Sequence, residues 1–159
     1  MDLHWYAVKV FWRRTARMAE VLEELGIEYY AQKVVPSYMF IHADENTAIR
    51  FRESQFGHAY LYAERGEGKK PIAVPDAQME AFRIVTSALA DVELLEGAPE
   101  SYAVGDLVRV TDGPFKGAQG YIRRIRKDRR LVIVVSGVAA IATVYIPPEL
   151  LEKVVEQSQ

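Results

Sequence analysis

The chain has 159 residues, half of them apolar, a formal charge of −2 and no cysteine. That length allows one domain or two small ones with real cores, and the near-neutral charge argues against a protein whose main work is coating phosphates. Lack of cysteine excludes disulfide staples and thiol chemistry, no apolar run reaches membrane-spanning length, and the start MDLHWYAVKVFW has no basic stretch ahead of an apolar one, so a soluble, cytoplasmic protein is expected.

Residues 5–11, rich in aromatic and β-branched side chains, predict a buried strand. Met18, Val21, Leu22 and Leu25 then recur at helical spacing, and Gly26 stands where a left-handed residue would end that helix. Residues 27–31 and 34–41 predict two more strands, the second entered through Pro36. A short helix is expected over 44–53, capped by Asp44 or Asn46, then a strand over 59–62 and a loop over 64–70. Pro75-Asp76 opens a last helix that buries Met79, Phe82, Val85 and Leu89.

Past residue 92 the pattern changes. Leu94-Leu95 is followed by Glu-Gly-Ala-Pro-Glu-Ser, which reads as a linker over 96–101. Charge divides there too: 11 basic and 14 acidic side chains lie in residues 1–95, against 9 and 8 in residues 96–159. The stretch GDLVRVTDGPFKGAQG, Gly105 to Gly120, alternates apolar and polar residues into a strand that Asp112-Gly113-Pro114 breaks. Gly113 supplies a backbone angle that other residues resist, and Pro114 has no amide for a further ladder. Phe115 follows as a lone aromatic anchor, and strand character resumes over 121–125, 131–135 and 142–146. The spacing fits neither a Walker nor a dinucleotide fingerprint. Strands separated by helices, then a run of strands, predict an α+β chain: an α/β sandwich over 1–95 and a small β-barrel over 102–155.

The run VRVTDGPFKGAQGYI resembles the KOW motif of NusG-type transcription factors and some ribosomal proteins. Trp5-Tyr6-Ala7-Val8, the segment Val35-Pro36-Ser37-Tyr38-Met39-Phe40-Ile41 and Pro75-Asp76 are similar to the NGN domain that precedes KOW in those elongation factors. Val35 and Ser37 depart from a common aromatic and a common glycine. The family's insertion before this strand is reduced to Gln32-Lys33, and its Phe-Gly-Arg loop is replaced by Gly137-Val138-Ala139-Ala140-Ile141. Such drift resembles a specialised paralogue.

The aromatics Tyr6, Tyr38, Phe40, Tyr60 and Tyr62 lie on expected strands, and plain core packing accounts for any one of them. Together, with four polar tips, they also suit an interface. The resemblance implies that Tyr6, Val35, Tyr38, Phe40 and Tyr60 line a depression gripping the clamp helices of RNA polymerase's largest subunit. It also implies that Arg52, Ser54, Gln55 and His58 approach the non-template DNA strand; their bland reading is a solvated loop. Arg123, Arg124, Arg126, Lys127, Arg129 and Arg130 form either a solvated hairpin turn or a nucleic-acid-binding tip. His4, His42 and His58 lack partners at ligand spacing, and no catalytic constellation is visible, so neither metal, cofactor nor catalysis is expected. The implied protein is a monomeric, non-enzymatic elongation factor that promotes processive transcription or antitermination on particular operons and has lost the barrel's contact with Rho or a ribosomal protein. The alternative is a ribosome-associated KOW protein that binds structured RNA.

Overall fold

A computed structural model describes residues 2–155 apart from 12, 34, 56, 65–68, 89 and 90. The chain divides into two compact units, Met1–Pro75 and Asp76–Gln159.

The first unit opens with β1 (His4–Val10), α1 (Thr15–Glu24) and β2 (Glu28–Ala31). Met18 and Leu22 bury one stripe of α1, whereas Leu25, expected in that stripe, is 58 % exposed just past its end. Gly26 ends the helix at φ +69°, the left-handed value its lack of a side chain permits. The strand expected from residue 34 begins later: β3 is Tyr38–Ala43, because Val35 is bonded into turns on both sides (its N–H to the Gln32 carbonyl, the Tyr38 N–H to its own carbonyl), while the Ser37 carbonyl accepts from the Val10 amide at the end of β1. Val34 lies outside the described residues. α2 (Glu45–Ser54) follows, with Asp44 as its cap: the carboxylate accepts from the Thr47 amide and hydroxyl. These bonds, the hydroxyl's foremost, hold the Asp44 carboxyl below its usual pKa. β4 (Ala59–Leu61) and a two-residue β5 (Ala73–Val74) complete the unit; much of the loop between them lies outside the described residues.

All pairings in this sheet are antiparallel, in the order β2-β3-β1-β4, with β5 also on β1. Alternation assigns the faces. Tyr6, Val8, Val10, Met39, Ile41 and Leu61 face the helices, packing with Met18, Leu22, Ala48 and Phe51. Trp5, Ala7, Lys9, Tyr38, Phe40, His42 and Tyr60 occupy the opposite face, because they pair with one another across the ladders.

The second unit begins with α3 (Asp76–Ser87), then β6 (Glu93–Leu94), β7 (Val108–Val110), β8 (Gln119–Ile125), β9 (Asp128–Val135), β10 (Ala139–Tyr145) and β11 (Leu151–Lys153). α3 buries Met79, Phe82 and Val85 as its periodicity predicts; Leu89 lies outside the described residues. The sequence reading groups this helix with the first half, but in the structure it counts with the second unit, where its Gln78 bonds the turn after β9. β6 and β11 are short strands that the sequence did not suggest. The six strands run β11-β7-β8-β9-β10-β6, an open order of antiparallel pairs with no ladder between β11 and β6 among the described residues. A closed barrel is therefore not what the pairing describes. Residues 96–101, expected as a linker, are tied down: Tyr102 donates to the Glu96 carbonyl and the Glu100 carboxylate accepts from the Gly137 amide. Phe115 is buried, as its place among turn glycines suggests. No described helix is long and apolar enough to cross a membrane.

Candidate functional site

Three strands place a row of side chains on the face of the first sheet that points away from α1 and α2. Tyr38 on β3 pairs with Lys9 on β1, which pairs with Tyr60 on β4. Tyr62, one step beyond β4, joins them: its ring stacks on Tyr38 at 6.2 Å between centroids and meets Tyr60 edge-on at 5.3 Å. The Tyr62 hydroxyl lies 3.4 Å from that of Tyr38. Burial first, then this bond and the neighbouring phenols, raise the Tyr62 pKa well above the usual tyrosine value, so Tyr62 stays neutral. Tyr60 is 50 % exposed, which leaves a large amphipathic ring at the surface beside a lysine.

Tyr60 also lines a cleft of about 540 Å³ with Phe11, Arg52, Ala59, Leu61 and Lys69. Arg52 reaches it from α2, and its guanidinium donates to the Lys69 carbonyl at 3.1 Å. An exposed Phe11, an exposed tyrosine and a guanidinium thus share one apolar concavity.

The structure sorts the predicted polymerase-binding residues into two groups. Tyr38 and Tyr60 come together with Tyr62 and Lys9. Phe40 is on the same face but is buried to 1 %, and Val35 is buried in the turn before β3. Tyr6 is on the opposite face, in the core against the helices, because it is one residue out of phase with Ala7 and Lys9. Burial and the Glu45 and Asp44 carboxylates raise its phenol's pKa, so it too stays neutral. Lys9 was not among the sequence-predicted site residues, and Tyr62 was named among the interface aromatics but not among those lining the depression. Period-2 register with Tyr38 is the signal that finds Lys9.

Of the second group, only Arg52 lines the cleft. Ser54 donates to the Phe51 carbonyl and accepts from Gln55, whose backbone closes the end of α2. Ser54 lines a separate groove of about 420 Å³ with Leu25, Ile27, Thr47, Arg50 and Phe51. The His58 Nδ1 is buried with no partner among the described residues, and its carbonyl accepts from the Phe11 amide.

The basic run of the second unit is the β8–β9 hairpin. Ile125 pairs with Asp128, which leaves Arg126-Lys127 as a two-residue turn. Arg126 and Arg130 both bond the Glu93 carboxylate, Arg130 at 3.1 Å, and Arg130 also lies 3.8 Å from Asp128. Arg123 sits 6.0 Å over the Tyr102 ring. Arg124, Lys127 and Arg129 are exposed and have no ion-pair partner among the described residues.

No protein-family model matches the chain, and no curated protein matches it. Solved structures do. The chain is similar to NusG of Thermotoga maritima, from a study of its domain interaction, with 20% identity and a TM-score of 0.48, covering 98% of this chain and 99% of that one. It is also similar to an MjSpt4:Spt5 complex, with 16% identity and a TM-score of 0.33, covering 96% of this chain and 99% of that one.

Proposed function

We propose that this chain is a NusG-like transcription elongation factor that binds RNA polymerase through its first unit and works without catalysis. The observation that carries the reading is the Tyr38–Lys9–Tyr60 row, which continues into the cleft beside Phe11 and Arg52. A row of amphipathic rings next to an apolar concavity suits an α-helix laid across it, and the sequence resemblance to NGN domains supplies the helix: the clamp helices of the largest polymerase subunit. Arg52, at the cleft's rim, is the residue best placed for the non-template strand. The mechanism is differential affinity: a factor that binds the closed, elongating clamp better than the open, paused one shifts the balance toward elongation.

The KOW resemblance gives the second unit its place as the family's barrel. The segment replacing the family's Phe-Gly-Arg loop supports an antiterminating role on particular operons. Ala139, Ala140 and Ile141 are buried strand residues here, so this patch offers neither an aromatic nor an arginine anchor for Rho or a ribosomal protein.

Tyr60→Ala is the direct test. The ring is half exposed, so its loss leaves folding intact, and as a central anchor it contributes roughly 2 kcal/mol to binding. Affinity for core polymerase should fall about 30-fold in a pull-down titration. Normal polymerase binding by a folded Tyr60→Ala protein would refute the reading, and co-sedimentation with ribosomes instead of polymerase would replace it with the structured-RNA alternative.

A further inference from the structure

The β8–β9 hairpin accumulates unfavourable choices at its tip. Arg123 pairs with Arg130 and Arg124 with Arg129, two successive cross-strand pairs of like charge, an arrangement that destabilises a ladder. Arg126 and Lys127 have φ of 49° and 77°. Positive values at both central residues mark the turn that Asn-Gly fills with least strain, and here two long cations fill it.

The two like-charged pairs are treated differently. The Arg123–Arg130 pair is compensated on its own face, with Arg130 held by Glu93 and Asp128 and Arg123 lying over Tyr102. Glu93 takes Arg126 as well. On the other face nothing among the described residues compensates Arg124 and Arg129, and Lys127 stands next to them at the apex. Three uncompensated cations sit at the end of the β8–β9 hairpin, in a protein whose total charge is negative.

We propose that this tip binds the sugar–phosphate backbone of double-stranded nucleic acid, with Arg124, Lys127 and Arg129 making the contacts and Glu93 holding Arg126 and Arg130 out of them. Strain and repulsion of this kind persist where an outside partner relieves them, and a polyanion relieves this one. Duplex is favoured over single strand because the face that carries Arg124 and Arg129 has no exposed aromatic ring for an unstacked base among the described residues: Tyr102 and Tyr121 are partly buried against the second unit's core, and the exposed Tyr145 pairs with Arg130, on the other face. A two-stranded ribbon of this width also fits a major groove. With Arg124, Lys127 and Arg129 on phosphates, binding is independent of sequence.

The proposal does not rest on the polymerase reading, and its test keeps the two apart. Affinity of the full chain for a labelled duplex of arbitrary sequence is measured by anisotropy across a salt series. Three phosphate contacts give a log–log slope of about −2.7. Arg124→Gln with Arg129→Gln should bring it to about −0.9, while the variant melts at or above the wild-type temperature, because repulsion has been removed. Glu93→Gln frees Arg126, while Arg130 stays beside Asp128, and should steepen the slope toward about −3.6. Tyr60→Ala should leave the slope unchanged. An unchanged slope in the double variant, a lowered melting temperature for it, no steepening in Glu93→Gln, or tighter binding to the single strand than to the duplex would each overturn the proposal.

Discussion

The strand β9 ends in two turns that the protein treats in opposite ways. At its far end, the turn into β10 is held down by side chains from elsewhere in the second unit. Gln78 accepts from the Ser136 amide and donates to the Ser136 hydroxyl, both at 2.8 Å, and Glu100 accepts from the Gly137 amide at 2.6 Å. The residues that follow are small and buried. At its near end, the turn from β8 projects four exposed cations, three of them without an ion-pair partner among the described residues, and its two central residues hold a conformation that suits glycine. One turn has every local preference satisfied and presents nothing to a partner. The other sacrifices local preference and presents charge. Where a fold keeps an unfavourable local choice, function outside the fold is the economical explanation.

The largest expected effect removes what both turns share. A Cβ on Gly120 would lie 2.3 Å from the Val132 carbonyl oxygen and 3.1 Å from the Cδ1 atoms of Leu131 and Ile133. The carbonyl belongs to the β9 backbone and cannot rotate away. Gly120→Ala should therefore destabilise the second unit by about 3 kcal/mol, read from urea unfolding, and quicken amide exchange at both turns. A loss below about 1 kcal/mol would mean that β8 and β9 shift apart more easily than the packed core suggests.

A smaller loss should be confined to the pinned turn. Gln78→Ala strands the Ser136 amide, and leaving a part-buried donor unsatisfied costs about 2 kcal/mol. Gln78→Glu should cost less, since a carboxylate still accepts from the amide and the Ser136 hydroxyl can turn to donate. Equal losses in the two variants would show that Gln78 acts by packing and not through these bonds.

What the sequence made legible follows the range of the interactions involved. Aromatic and β-branched content found β1, helical spacing found α1 and α3, and cap residues placed the start of α2 at Asp44 or Asn46, of which the structure uses Asp44; each signal depends on neighbours within a few residues. β6 and β11 were not legible: Glu93-Leu94 becomes a strand only by pairing with β10, some 47 residues on, as Ala142 and Ile141 supply the ladder. α3 packs on β8 and β9 of the second unit, and its Gln78 bonds Ser136, 58 residues away, a range that local patterning does not reach. At the candidate site, aromatic content pointed to β1, β3 and β4, yet it could not separate Tyr6 from Tyr38. That distinction needs register, which places Tyr6 opposite Ile41 and Lys9 opposite Tyr38. The basic run was plain to see, but which of its cations are neutralised depends on Glu93, which lies 33 residues before Arg126.

The smallest expected effect has the opposite sign and sharpens the comparison most. Lys127 stands at φ 77°, where a side chain crowds its own backbone and costs roughly 1–2 kcal/mol relative to glycine. Glycine gives back part of that gain through its greater freedom in the unfolded chain, roughly 0.5–1 kcal/mol. Lys127→Gly should thus stabilise the protein by about 0.5–1 kcal/mol, seen as a higher urea midpoint with an unchanged slope. Lys127 has no ion-pair partner among the described residues, so the substitution breaks no bond that could mask the gain. The same change should weaken duplex binding by one phosphate contact, about 0.9 in the salt slope. A variant that is more stable and binds less well is the signature of a turn shaped for its partner. If Lys127→Gly instead lowers stability, the lysine is a structural member of the hairpin and the contrast between the two ends of β9 disappears.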